Sequence, residues 1–120
     1  MDYFFDSYAI IEIVSGNPNY SKFKEEIIIT TTLNLSEVYY ALLRQTNENL
    51  ADETLKKLNI QFLEITQEIS IDAAKFRYKN KKEKLSYADC IGYIIAQKNN
   101  MKFLTGDNKF KEVENVEFVK

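Results

Sequence analysis

Short apolar runs alternate with segments of helical period along this 120-residue chain, and no two consecutive runs are joined by a two-residue hairpin turn. The runs are Tyr3-Phe4-Phe5, Ile27–Thr30, Phe62–Ile65, Lys102–Thr105 and Val116–Val119. Between them, Ala9, Ile10, Ile13 and Val14 mark one helix face, with Gly16 as its stop. Asn17-Pro18 reads as the cap and first position of a short helix carrying Tyr20 and Phe23 inward. Leu35, Val38, Tyr39, Leu42 and Leu43 give a helix over about Leu33–Gln45, followed by a second over Leu50–Leu58. Thr66 caps a helix that buries Ile69, Ala73 and Phe76, and Ser86 caps another with Ala88, Ile91, Ile95 and Ala96 inward. Parallel strands need a crossover between them, commonly a helix, so this order predicts an α/β fold. The expectation is a mostly parallel central sheet of about five strands, flanked by helices on both faces, in one domain spanning residues 1–120. Three Gly and one Pro leave little material for linkers.

Composition restricts the chemistry. The chain has no His and one Cys, which excludes a Ser-His-Asp triad, a Cys-His dyad, a His-ligated zinc site and an internal disulfide. Any catalysis falls to carboxylates, Lys, Tyr, Ser or Thr, with a hard metal ion as the natural assistant. The lone thiol, Cys90, suits a reducing compartment. Met1 to Gly16 carries Asp2, Asp6 and Glu12 and no basic leader, and no apolar run approaches the roughly 18 residues of a membrane helix. A cytoplasmic protein without membrane association is expected.

In open α/β sheets the ligand crevice lies beyond the carboxyl ends of the strands. Asp6 ends the first run and Asp107 follows the fourth; Asp89 lies in the first turn of a helix, and Glu37 in the early part of the helix after the second run. Each also has an ordinary structural role. Asp6 with Ser7 caps a helix, Ser86-Tyr87-Ala88-Asp89 is a capping box, Asp107 sits in a Gly-Asp-Asn turn, and Glu37 faces away from the apolar stripe of its helix.

Taken together, four stretches in order carry a family pattern: Tyr3-Phe4-Phe5-Asp6-Ser7, Leu35-Ser36-Glu37-Val38, Ser86-Tyr87-Ala88-Asp89-Cys90, and Phe103-Leu104-Thr105-Gly106-Asp107-Asn108-Lys109-Phe110. They resemble the PIN domain, a small metal-dependent ribonuclease fold, and especially its VapC-type toxins. The resemblance implies an endoribonuclease using Mg²⁺ or Mn²⁺, with Asp6, Glu37 and Asp89 as core metal-binding acids and Asp107 as a fourth. Ser7 and Thr105 would line the pocket. It further implies 5′-phosphate and 3′-hydroxyl products, a VapB-type antitoxin as partner, and a homodimer. Cys90 stands where the family more usually has a small residue, and Asn108 leaves a fifth acid absent; Cys90 itself reads as a small buried hydrophobe.

An RNA substrate needs cations, and the densest supply is the stretch from Lys75 to Lys84, in which Arg77, Lys79, Lys81, Lys82 and Lys84 are candidate phosphate contacts and Tyr78 or, just beyond, Tyr87 a stacking platform. The same cations also complement a helix C-terminus. Tyr8, Tyr20, Phe23, Tyr39 and Tyr40 are candidates for a protein interface or for the core. Two other readings stay open. One is a PIN-fold RNA- or protein-binding module, or an RNA-processing factor, with no toxin role. The other is a phospho-receiver domain, which expects an acidic pair after the first strand where this chain has Asp6-Ser7.

Overall fold

β1 (Tyr3–Phe5) is three aromatic residues whose alternate side chains point to opposite faces of a sheet. In the computed structural model, which describes residues 2–120, Phe4 and Phe5 are both fully buried, one in each of two separate cores. β1 is therefore central. It pairs in parallel with β2 (Ile28–Thr30) on one side and with β4 (Lys102–Thr105) on the other. β3 (Ile60–Phe62) adds beyond β2, and β5 (Val116–Phe118) beyond β4, giving the order β3-β2-β1-β4-β5 with every pairing parallel.

Helices cover both faces. α1 (Ser7–Val14), a 3₁₀ turn (Pro18–Phe23), α2 (Thr32–Gln45) and α3 (Glu48–Lys56) supply Ile10, Tyr20, Phe23, Val38, Leu42 and Ala51 to the core around Phe5 and Leu104. α4 (Gln67–Lys79) and α5 (Tyr87–Lys98) supply Ile69, Ala73, Tyr93 and Ile95 to the core around Phe4 and Phe103. Each of these α-helices starts on an Asp, Thr, Asn or Ser whose side chain accepts the N–H three residues on. Such caps are worth about 0.5–2 kcal/mol apiece and fix where each helix begins.

β2, β5 and α2 each differ from the sequence expectation by one residue at an end, and two elements are displaced by two residues or more. The third strand is Ile60–Phe62 and not Phe62–Ile65. Its register is set by its partner, Ile28 opposite Ile60 through Thr30 opposite Phe62, and β2 ends where Thr31 turns to cap α2. Leu63 and Ile65 still pack against the core, but from the connection. The helix expected over Leu50–Leu58 runs over Glu48–Lys56, because Asn47 accepts the Leu50 N–H and starts it earlier. Among the described residues no helix is long and apolar enough to cross a membrane.

α5 is buried around most of its circumference, well beyond the single face its sequence suggests. Gly92 makes the close approach possible. A Cβ there would stand 2.6 Å from the Phe4 ring and 3.1 Å from the Phe103 ring, and those two rings stack in the core. Gly92→Ala is therefore expected to destabilise the protein by about 1 kcal/mol, although Ala is the better helix former by about 0.8–1 kcal/mol, since overpacking costs about 1–3. A lowered urea midpoint with an unchanged m value is the expected observation, and a raised midpoint refutes the packing argument.

Candidate functional site

The chain builds β1, β2 and β3 outward on one side, then returns to place β4 and β5 on the other. The reversal makes the carboxyl ends of β1 and β4 the topological switch point, the usual crevice of an open parallel sheet. Asp6 follows β1, and Thr105-Gly106-Asp107 ends and follows β4. The Asp6 N–H donates to the Leu104 carbonyl at 3.2 Å, carrying the ladder one residue past β1 and fixing Asp6 beside Thr105.

Asp6 is 3% exposed, and one of its carboxylate oxygens accepts the Ala9 N–H at 2.8 Å. Its pKa is pushed up to about 7. Burial is the main cause; the Thr105 hydroxyl and the Ala9 N–H pull the other way, and the charges of Asp89 and Asp107 push it further up. Asp89, Asp107 and Thr105 thus all lie near enough to act on Asp6.

Asp89 is half-buried at the third position of α5, where its carboxylate accepts the Ser86 N–H at 3.0 Å while Ser86 Oγ accepts the Asp89 N–H at 3.1 Å. Asp107 is also half-buried; its N–H donates to Thr105 Oγ1 at 3.1 Å, and its carboxylate accepts the Lys109 N–H at 3.0 Å. Gly106 admits no side chain, since a Cβ would lie 2.3 Å from the Val119 carbonyl oxygen and 2.4 Å from the Tyr8 ring. Glu37, exposed on α2, is absent from the charges acting on Asp6; it joins the group by accepting the Ser7 hydroxyl hydrogen bond. The ordinary capping roles of Asp6, Asp89 and Asp107 are thus real, and each fixes one carboxylate oxygen.

Sequence reasoning missed the buried polar chain beneath Glu37. Thr31 Oγ1 donates to Asn34 Oδ1 at 2.7 Å, and Asn34 Nδ2 donates to Ser7 Oγ at 3.0 Å. Ser7 accepts from an amide nitrogen that can only donate, and its own proton goes to Glu37. The available signal was Asn34 itself: an amide at the apolar-stripe spacing of Val38 and Leu42, three residues after a capping Thr.

Among the described residues, no three His, Cys, Asp or Glu side chains form a cluster that holds a metal ion as placed. The donor chemistry nevertheless suits a hard cation. The four candidate acids and two hydroxyls offer only oxygen donors, and the charges of Asp89 and Asp107 raise the cost of ionising Asp6. Of the basic candidates, Arg77, Lys79, Lys81, Lys82 and Lys84 are all exposed; Arg77, Lys81 and Lys84 line a pocket together, and Lys79 and Lys82 lie outside it. Tyr20 and Phe23 are core residues and are unavailable as an interface, whereas Tyr40 is exposed. Cys90 is fully buried, and burial pushes its thiol up to about 11.

The chain belongs to the PIN domain family, whose model matches residues 3–116. Its fold is similar to that of VapC20 of Mycobacterium tuberculosis, a sarcin–ricin loop cleaving toxin, with a TM-score of 0.80 over 99% of this chain and 100% of that one at 15% identity. VapBC2 of Rickettsia felis, solved bound to a DNA fragment from its promoter, gives a TM-score of 0.77 over 100% of both chains at 14% identity. A toxin–antitoxin complex from Klebsiella pneumoniae gives 0.71 over 98% of this chain and 96% of that chain, at 21% identity. No curated protein sequence matches the chain.

The Asp6 carboxyl carries a pH signature. It ionises near 3.9 when unfolded and near 7 when folded, so between those values the folded state holds more protons. Its contribution to stability therefore falls as pH rises from about 4 to 7. Without divalent ions, Asp6→Asn, which keeps the cap acceptor, is expected to stabilise the fold by about 2–4 kcal/mol at pH 8 and to have little effect near pH 3.5. Denaturant titrations at the two pH values measure this, and equal effects at both contradict the assignment.

Proposed function

We propose that this protein is a divalent-metal-dependent endoribonuclease that hydrolyses RNA phosphodiester bonds, acting as the toxin of a VapBC-type toxin–antitoxin pair. The observation that carries the reading is the convergence of Asp6, Asp89 and Asp107, with Glu37 tethered through Ser7, at the switch point of a PIN domain. The sarcin–ricin loop cleaving activity of VapC20, and the toxin–antitoxin assemblies among the similar structures, support the choice of RNA as substrate and of a VapB-type antitoxin as partner. A homodimer belongs to the same reading.

Asp6, Glu37, Asp89 and Asp107 would hold Mg²⁺ or Mn²⁺. When bound, the ion supplies a Lewis acid that activates water and offsets charge on the scissile phosphodiester. The protein's own part is positional. The Ala9 N–H and the β1–β4 ladder hold Asp6 fixed, the Ser86 N–H holds Asp89, and the Lys109 N–H holds Asp107. The Thr31–Asn34–Ser7 chain directs a proton onto Glu37 and so fixes one of its oxygens. Burial of Asp6 keeps bulk water from the deepest ligand.

Purified protein is expected to cleave single-stranded RNA internally with Mg²⁺ or Mn²⁺ and to stop on chelation. Asp6→Asn and Asp89→Asn should each lower the rate a hundredfold or more, since even outer-shell partners of a metal are worth about 10–100-fold. Added metal should raise the melting temperature of the wild type more than that of either variant. Undiminished cleavage in the variants refutes the site. A PIN-fold RNA-binding module is the second reading; RNA binding without cleavage at saturating Mn²⁺ would establish it.

A further inference from the structure

A polyanion approaching four carboxylates is repelled by them, so its grip must come from cations beside the crevice. Such a place exists between the end of α4 and the start of α5. Arg77, Tyr78, Lys81, Lys84, Leu85 and Tyr87 border an open pocket of about 300 Å³. This is the lower end of the roughly 300–1,000 Å³ range of small-molecule sites, and it suits one nucleotide. Its composition is uncommon for a surface: three cations and two tyrosines 72% and 59% exposed, rings that the core does not claim. The cations are already layered on the rings, with the Arg77 guanidinium 4.4 Å from the centre of Tyr87 and Lys81 Nζ 4.8 Å from that of Tyr78.

The pocket is also fixed in place relative to the acids. Arg77 Nε donates to the Leu85 carbonyl at 2.9 Å, tying α4 to the segment that leads into α5. Tyr87 is the first residue of α5 and Asp89 the third. Lys109, two residues after Asp107, donates from Nζ to the Lys84 carbonyl at 3.4 Å. Lys84 holds its place in the left-handed region, at φ 55°, which turns the chain from α4 toward α5. Both Asp89 and Asp107 are therefore bonded, within a few residues, to the pocket wall.

We infer that this pocket is a subsite for one unstacked nucleotide of single-stranded RNA, its base stacked against Tyr78 and Tyr87 and its phosphate held by Lys81 and Lys84. The choice of RNA rests on the ribonuclease reading above; the stacking chemistry rests on the pocket. Single strands are held by aromatic platforms combined with cations, and base stacking is worth enough that losing one ring weakens binding roughly tenfold. An acidic peptide would use the cations and have little need of two exposed rings.

Binding measured in EDTA separates this from catalysis. The probes are a labelled uridine oligoribonucleotide and an abasic oligomer with the same ribose-phosphate backbone, followed by fluorescence anisotropy. Wild type is expected to prefer the base-bearing strand. Tyr78→Ala and Tyr87→Ala should each weaken that strand about tenfold and reduce the preference, the double variant should erase it, and Tyr→Phe should restore it. Lys81→Gln and Lys84→Gln should weaken both oligomers alike and each reduce the salt slope by about 0.7. Equal binding of the two oligomers by wild type, or unchanged affinity in both Tyr→Ala variants, overturns the subsite. Wild type that shows the preference yet leaves RNA intact with Mn²⁺ overturns the ribonuclease reading and leaves the subsite standing.

Discussion

The parallel pairing of β1 with β4 is the constraint on which the rest of the molecule depends. It puts Phe4 beside Phe103 on one face and Phe5 beside Leu104 on the other, so the two cores form together. The same ladder continues to the Asp6 N–H and so carries a carboxylate into a position that is almost fully buried. Burying a charge is expensive unless it is paired, and the fold gives Asp6 a helix N-terminus and a hydroxyl that ease ionisation and two further acids that oppose it. Hydrophobic association of four large side chains sustains this arrangement, and the unfavourable electrostatics at its end is what suits the crevice to a positive ion.

Charge placement explains how a chain with net charge −2 remains compatible with a nucleic-acid ligand. The acids of the crevice are gathered at the switch point, while Arg77, Lys81 and Lys84 gather on the adjoining flank between α4 and α5. A repulsive pocket with a cationic shoulder presents opposite potentials within one short surface, and the summed charge conceals both.

Much of the fold was legible because its signals are local. Short aromatic and β-branched runs, period-3.6 stripes and side-chain caps each involve residues within a turn or two of one another. The errors fell where a partner decides. β3 is an edge strand whose ends follow β2, and an apolar run cannot reveal which three of its residues β2 will pair. α5 reads as amphipathic, and only the approach of Phe4 and Phe103 to Gly92 makes it a central helix. At the candidate site, Asp6, Asp89 and Asp107 stand out in the sequence by their positions after strands and at helix starts. Asn34 does not, because its value lies in contacting Ser7, 27 residues away.

The sequence alone determined the element order, the parallel α/β class, the exclusion of His- and disulfide-based chemistry, and the oxygen-only donor set, since all of these follow from residue types and short spacings. Tertiary structure decided which acids meet, how deep each lies, and that two tyrosines and three cations share one pocket wall. The reason is physical: repulsion, burial and stacking depend on distances through space, and residues 6, 89 and 107 acquire those distances only when β1 and β4 pair between the two cores.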